Sequence, residues 1–402
     1  MQFSYVAKKL SGEEKSGVVE AKDRFEVANI LRQGGYTVIS CEEKKESKRK
    51  NILFFLPQSV SVTDKMIFSR NLGVMISAGL AITRSLDVLQ KQTGNKRFKK
   101  IILSLMDSVN KGRPLSEAMK DYPKIFSSLF IAMVKVGEES GKLSEALKLT
   151  ADQLEKDHNL TKKIKGAMIY PSIIVVTMIL IGILMFIYVV PTLVSTFKDL
   201  SIDLPLSTKV IIFISDFFTG HIILVLSSIT FLVFLFIWAV GTNRGKKLIA
   251  NFLLKMPLIS PITKKVNSAR TCRTLASLVS SGVNIIESLS ITKDVLQNYH
   301  YKNVLGEAAV SVQKGTPMSE IFKNADKFYP VLVGEMMAVG EETGKLSEML
   351  MRLAGFYEEE VEEATKDLTT VIEPLLMIVI GAVVGFFAVS MIQPMYSMMS
   401  GI

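Results

Sequence analysis

From Gly166 to Phe197 the chain runs 32 residues without Asp, Glu, Lys, Arg or His. A bilayer core about 30 Å thick takes roughly 20 residues of apolar helix, so this run is long enough to cross one. Pro374 to Ile402 is likewise uncharged, and Phe217 to Asn243 holds only His221 among titratable groups. Over 402 residues, 49% are apolar and 21% charged, which sets aside a soluble enzyme, a fibrous protein and a disordered chain.

No cleaved signal is expected, because MQFSYVAKKL has no apolar stretch after its basic residues. Cys41 and Cys272 are far apart and form no CxxC, so a reduced cytoplasmic setting is expected and no structural disulfide.

Charge orients the spans. The net charge is +10, and between Asp216 and Glu287 there is no Asp or Glu, only basic residues from Arg244 to Arg273. Lys162, Lys163 and Lys165 stand just before the first run, whereas Thr192 to Asp216 holds only Lys198 and Lys209 against three aspartates. Positive residues concentrate on the side that stays inside. The expected course is an inner N-terminus, a span outward, a short outer link, a span inward, a long inner segment and a final span outward. Topology and anionic lipid heads account for the basic excess better than nucleic acid does, since no aromatic-interleaved basic patch is present.

The chain also repeats itself. VGEESGKLSEAL at 136–147 returns as VGEETGKLSEML at 339–350, KGRPLSEAM at 111–119 as KGTPMSEIF at 314–322, and SAGLAITRSL at 77–86 as SSGVNIIESL at 280–289. Each pair is displaced by 203 positions, and 70–171 against 273–374 gives 35 identities in 102 positions without a gap. Each copy is an inner module followed by an outward span. The middle span has no counterpart; it returns the chain so that copy two starts in the same orientation. The repeats are therefore parallel.

Apolar spacings of three and four, broken at Gly79, Gly94, Gly112, Pro123 and Gly141, predict helices near 64–78, 81–92, 96–110, 114–120, 126–139 and 143–165, the last positioned to continue into the span. Ahead of them, alternation at Phe3 to Lys8, Val18 to Ala21 and Tyr36 to Cys41 around a helix at Arg24 to Arg32 predicts a ββαβ unit. The expected fold is an all-α membrane protein with two tandem cytoplasmic helical-bundle modules of about six helices each and three transmembrane helices. The expected segments are the ββαβ unit at 1–42, a basic linker at 43–62, module 1 at 63–166, span one at 167–192, an outer loop at 193–216, span two at 217–241, module 2 at 242–370, span three at 371–393 and an outer tail at 394–402.

Chemistry is sparse. GEESGKL at 137–143 is one residue short of a P-loop and has Leu143 where the Mg²⁺-holding hydroxyl belongs; GEETGKL at 340–346 fails in the same way. The three histidines are dispersed, and no HExxH exists. Glu138, Glu139 and Glu145, repeated as Glu341, Glu342 and Glu348, carry oxygens suited to a hard cation, but a helix-turn-helix corner explains them more simply. No charge lies near the middle of a span, which disfavours the rival reading, a transporter or channel built from parallel repeats. A reconstituted flux assay separates the two. No catalytic, cofactor-binding or metal residue is expected, and the chain is read as a non-enzyme.

These features resemble the inner-membrane platform proteins of type IV pilus and type II secretion machines. The likeness rests on the duplicated corners, the two KGxPxSE elements, SAGL and SSGV, the N-terminal Phe3, Tyr5, Ala7, Gly17 and Ala21, and Tyr170-Pro171 and Glu373-Pro374 where the spans begin. Copy two has Glu373 where copy one has Tyr170. The resemblance implies a homo-oligomer in the cell inner membrane, docked on a cytoplasmic hexameric ATPase, passing pilin or pseudopilin subunits to a fibre alongside other machine components. ATP hydrolysis then belongs to the partner. The candidate partner contacts are Glu138, Glu139, Lys142, Glu341, Glu342 and Lys345, and the candidate hinges where spans begin are Pro171 and Pro374.

Overall fold

The structure is a computed structural model that describes residues 2–9, 14–21, 23–43, 59–199 and 206–399. The expected basic linker at 43–62 falls mostly outside them, and of the expected outer tail at 394–402 only 400–402 do, 394–399 being helical. The described residues form an N-terminal unit and a larger helical one.

In the N-terminal unit, β1 (Gln2–Lys9) is the centre of an antiparallel sheet in the order β2-β1-β3, with β2 at Glu14–Glu20 and β3 at Tyr36–Glu43. Between β2 and β3 lies α1 (Arg24–Gln33), opened by Asp23, whose side chain accepts the Glu26 N–H at 2.8 Å. Phe3, Ala7, Ala21, Val27 and Leu31 close a small core. The expected sheet is present.

The first module is built from α2 (Val62–Ser77), α3 (Ile82–Gln92), α4 (Lys96–Asn110), α5 (Leu115–Met119), α6 (Ser128–Glu139) and α7 (Leu143–Leu184). Their ends follow local chemistry. Ser61 and Asp64 form a reciprocal capping box on α2, Asn95 caps α4 and Ser127 caps α6. Phe68, Leu72, Phe98, Ile102, Phe126 and Phe130 are the large side chains of its core. The second module repeats the course as α12 (Ser260–Ser280), α13 (Ile285–Val295), α14 (Tyr299–Gln313), α15 (Met318–Lys323), α16 (Val331–Thr343) and α17 (Leu346–Met399). Tyr301, Phe322 and Tyr329 fill its core, where the Tyr329 hydroxyl meets Thr271 at 2.9 Å.

One ion pair fastens the first helix of each module to its last. Arg70 reaches Glu155 at 2.7 Å, and 203 positions on, Arg273 holds both oxygens of Glu358 at 2.7 Å. The second pair is much the better shielded, because module 1 covers it.

Both last helices continue into the apolar runs. Leu143–Ser195 and Leu346–Ile392 are long and apolar enough to cross a membrane. Pro171 sits inside α7, and α17 likewise runs on through Pro374. Near its end the first of these helices opens into a single wide π turn at Met185–Val189 before α8 (Val190–Asp199). Pro191 explains the turn. It has no N–H and its ring crowds the preceding carbonyls, so the ladder widens and the Val190 N–H bonds to Met185.

The stretch 193–216, expected as a loop, is helical instead over most of its described length. It carries the end of α8 and most of α9 (Leu206–Gly220). Apolar side chains at Ile211 and Ile212 bury against Val190, Val194, Phe387 and Met391, so α9 packs rather than loops. Thr208 donates to the Ser390 carbonyl at 2.5 Å and Ser215 to the Phe186 carbonyl at 2.7 Å. Then α10 (Ile222–Gly241) leads to α11 (Asn243–Lys255), which opens on the Thr242 cap.

Candidate functional site

The duplicated corners are where both repeated motifs meet. In module 1, α6 ends at Glu139 with Ser140 as its cap, Gly141 turns the chain with φ 71°, and α7 starts at Leu143. Gly344 makes the same turn at φ 68° between α16 and α17. That is left-handed backbone, which glycine adopts without steric cost. The glycine four positions earlier serves a different need. A Cβ on Gly137 would stand 2.6 Å from the Ala146 Cβ, and one on Gly340 2.8 Å from the Leu346 Cα. The two helices of each corner touch backbone to backbone there.

Glu138 points away from solvent. Its Oε1 accepts the Leu115 N–H at 2.6 Å and its Oε2 the Ser116 N–H at 2.9 Å. These are the first donors of α5, which begins after Pro114 and has no side-chain cap of its own. A helix of this length leaves its leading N–H groups open, and a carboxylate there also meets the positive end of the dipole. Glu341 repeats the arrangement with Met318 at 2.7 Å and Ser319 at 3.2 Å, and adds the Ser319 hydroxyl at 2.5 Å. KGxPxSE and VGEE are thus two halves of one remote cap. Beside it, the Lys120 ammonium holds the Glu117 carboxyl below the usual carboxylate range, and Arg113 does the same to Asp121.

The candidates therefore separate. Glu138 and Glu341 are turned inward and spend both carboxylate oxygens on their own module. Glu139, Lys142, Glu342 and Lys345 stand exposed at the corners, Glu139 facing Lys135 at 3.8 Å. Lys142 and Lys345 precede the first turn of long helices, where a cation opposes the dipole, so helix stability does not explain them. Pro171 is buried and Pro374 exposed, so the two hinge candidates differ in surroundings. Among the described residues no group of three or more His, Cys, Asp or Glu is placed to hold a metal ion.

Sequence reasoning missed the seam between modules. Gln153 of α7 donates to Thr274 at 3.3 Å and accepts from Ser277 at 3.1 Å, both on α12. Arg270 pairs with Asp157 at 2.8 Å, Lys163 pairs with Glu362, and Leu129, Ala132 and Met133 bury against Leu278, Val283 and Ile291. Gln153 and Ser277 lie at positions where the copies differ, so comparing the copies could not single them out. Arg70, Arg273, Glu155 and Glu358 are identical at the offset, and that signal was available.

The family described as type II secretion system protein F matches residues 68–191 and again 271–394, and its N-terminal domain matches 1–42. The two matches are displaced by the same 203 positions as the internal repeat. This chain belongs to that family. Among its relatives is the type IV pilus assembly protein PilC of Thermus thermophilus, 35% identical over 98% of this chain and 97% of that one. The PilC of Myxococcus xanthus is 33% identical over 100% and 96%, and the type II secretion system protein F of Vibrio cholerae is 27% identical over 98% of each. Within the family's frame the corners fall inside both matched segments, and the two apolar helices mark the chain as a membrane protein.

Proposed function

We propose that this chain is a multi-pass inner-membrane assembly platform for a type IV pilus or a type II secretion pseudopilus. The N-terminal unit and both modules face the cytoplasm, and three helices, at 167–192, 217–241 and 371–393, cross the bilayer. The modules take up motion from a cytoplasmic hexameric ATPase, and the spans pass pilin or pseudopilin subunits to the growing fibre. The chain works as a homo-oligomer among other inner-membrane components. ATP chemistry stays with the partner, so no residue here is given a catalytic or cofactor role.

The observation that carries this reading is the unbroken helix at the end of each module. The 42 residues of α7 and the 54 of α17 join a packed cytosolic bundle to an apolar segment with no loop between. At 1.5 Å per residue each is tens of ångströms long, and a continuous helix transmits a displacement that a loop would absorb. Names borne by the relatives, pilus assembly protein and secretion system protein, supply the machine. The helix after α10 supports the orientation: α11 bears Lys246, Lys247 and Lys255 together with exposed Leu248 and Phe252, a composition suited to an anionic inner leaflet.

A flexible Gly-Ser insertion at Gly166 tests it. A Cβ there would meet nothing within 4 Å, so Gly166 itself makes no close contact. ATPase binding is expected to persist and fibre assembly to stop. Normal assembly by the insertion variant would overturn the coupling.

A further inference from the structure

Within the chain, module 1 presents α6 and α7 to α12 and α13 of module 2. This contact joins unlike faces, α6 and one side of α7 against the early helices α12 and α13, and α7 also runs beside α17 through Lys163–Glu362 and Lys156–Glu358. The repeat-equivalent surfaces take no part in this contact: α2 and α3 in module 1, and α16 with the side of α17 that carries Phe356 in module 2. The offset of 203 names the residues there. Leu278, Val283 and Ile291 correspond to Met75, Leu80 and Val88, and Leu129, Met133 and Val136 to Leu332, Met336 and Val339. The hydrogen-bonded pair Ser277 and Gln153 corresponds to Val74 and Phe356. Every one of these substitutes is apolar, and several face solvent: Val74 is 61% exposed, Phe356 45%, Val339 45% and Leu332 43%. Apolar side chains clustered on two outer faces mark interaction surfaces.

We propose that these two faces are the halves of a head-to-tail contact between copies of this chain, α2 and α3 of one seating against α16 and α17 of the next. The occupant is a second copy because the faces hold the repeat-equivalent positions of an interface the chain already makes with itself. The proposal rests on the homo-oligomer of the reading above and specifies its interface. All modules are anchored facing the same way, so successive copies relate by rotation about the bilayer normal. A contact between unlike faces closes into a ring where that rotation divides the full circle evenly. Charge does not repeat: Lys156 and Glu358 pair across the internal seam at 4.0 Å, whereas the equivalent positions, 359 and 155, are both Glu. Glu155 is already paired with Arg70, so contact between copies rests on apolar area and not on an ion pair between these positions.

The test uses full-length chains in native membranes, two differently tagged copies carrying Cys41→Ser and one new cysteine each. Native Cys272 is buried with its thiol pushed up to about 12, and stays silent. Val74→Cys paired with Phe356→Cys is expected to cross-link between tags upon oxidation, at least about fivefold above either variant alone. Cross-linking of Val74→Cys to itself, or of Phe356→Cys to itself, would overturn the proposal by showing like faces in contact. So would absence of cross-links while native mass spectrometry of nanodisc-held chain finds an oligomer, which leaves the oligomer standing and removes this interface. A monomeric mass would remove both.

Discussion

The Glu138 carboxylate accepts the Leu115 backbone N–H at 2.6 Å, across 23 residues of chain, and so caps a helix to which it does not belong. A glutamine in its place offers one oxygen, and its amide nitrogen faces a second donor. Glu138→Gln therefore leaves the Ser116 N–H without an acceptor, at a cost of about 1–3 kcal/mol. In Glu341→Gln the Ser319 hydroxyl, acceptor as well as donor, turns to accept from the new amide, so this variant is expected to cost less. Thermal unfolding of the two variants ranks them, and equal melting temperatures with wild type would remove the cap from the account.

Gly137→Ala tests the corner's close approach. The new methyl meets the Ala146 Cβ at 2.6 Å and the Leu143 Cα at 3.0 Å, so the helices must part. Overpacking of this kind costs about 1–3 kcal/mol. Pairing it with Ala146→Gly removes one clash and leaves the other, so rescue by the double variant is expected to be partial. A fully stable single variant would show that the corner has room to open.

The exposed corner lysines carry the partner-contact proposal. Lys142→Glu and Lys345→Glu replace a cation that opposes the helix dipole with an anion that favours it. Folding stability is therefore expected to hold or rise slightly while co-purification of the assembly ATPase falls several-fold. Loss of stability without loss of binding would return these residues to the fold.

Much of this was legible in the chain because repetition printed the same constraints twice. The glycine and proline breaks set the helix ends, and Asn95, Ser127 and Thr242 lie where a cap was needed. What stayed hidden depends on three dimensions. Nothing in VGEE says that its first glutamate folds inward and its second outward; the reason is the position of α5, 23 residues upstream. The seam through Gln153 was invisible because the two modules use unlike faces and so need unlike residues. And 193–216 reads as an outer loop because Lys198, Asp199, Asp203, Lys209 and Asp216 interrupt the apolar runs on either side. The apolar face of α9, through Ile211 and Ile212, makes it a packed helix.

His300 gives the second module a pH dependence. Burial, with Lys247 nearby, lowers its pKa from the usual value of 6.5, and the ring stacks on Phe328 at 5.1 Å with Nε2 against the Asn251 oxygen at 2.5 Å. The fold favours the neutral ring. Its contribution is complete above pH 6.5 and is lost as pH falls from there toward the lower folded value, because the unfolded chain binds the proton first. Protection of the α11 and α14 amides, with each exchange rate divided by the amide's intrinsic rate at that pH, is expected to fall between pH 7.5 and 5.5, and His300→Gln to flatten the change. Higher protection at low pH would reverse the sign.

Ser215 answers a vacancy that Pro191 creates. In the π turn the Val190 N–H is taken by Met185, and the next donor that could reach the Phe186 carbonyl belongs to a proline, which has none. Ser215 supplies it from α9 at 2.7 Å, and on the same helix Thr208 donates to Ser390 of α17. Two hydroxyls thereby tie α9 to both long helices. Ser215→Ala leaves a carbonyl without a donor and is expected to cost about 1–3 kcal/mol. Ser215→Ala with Pro191→Ala restores a backbone N–H, lets the ladder close as a plain α-helix, and is expected to regain most of that loss. Thermal unfolding of both variants in detergent decides the matter: a double variant no more stable than Ser215→Ala would mean that the π turn arises from something other than the proline.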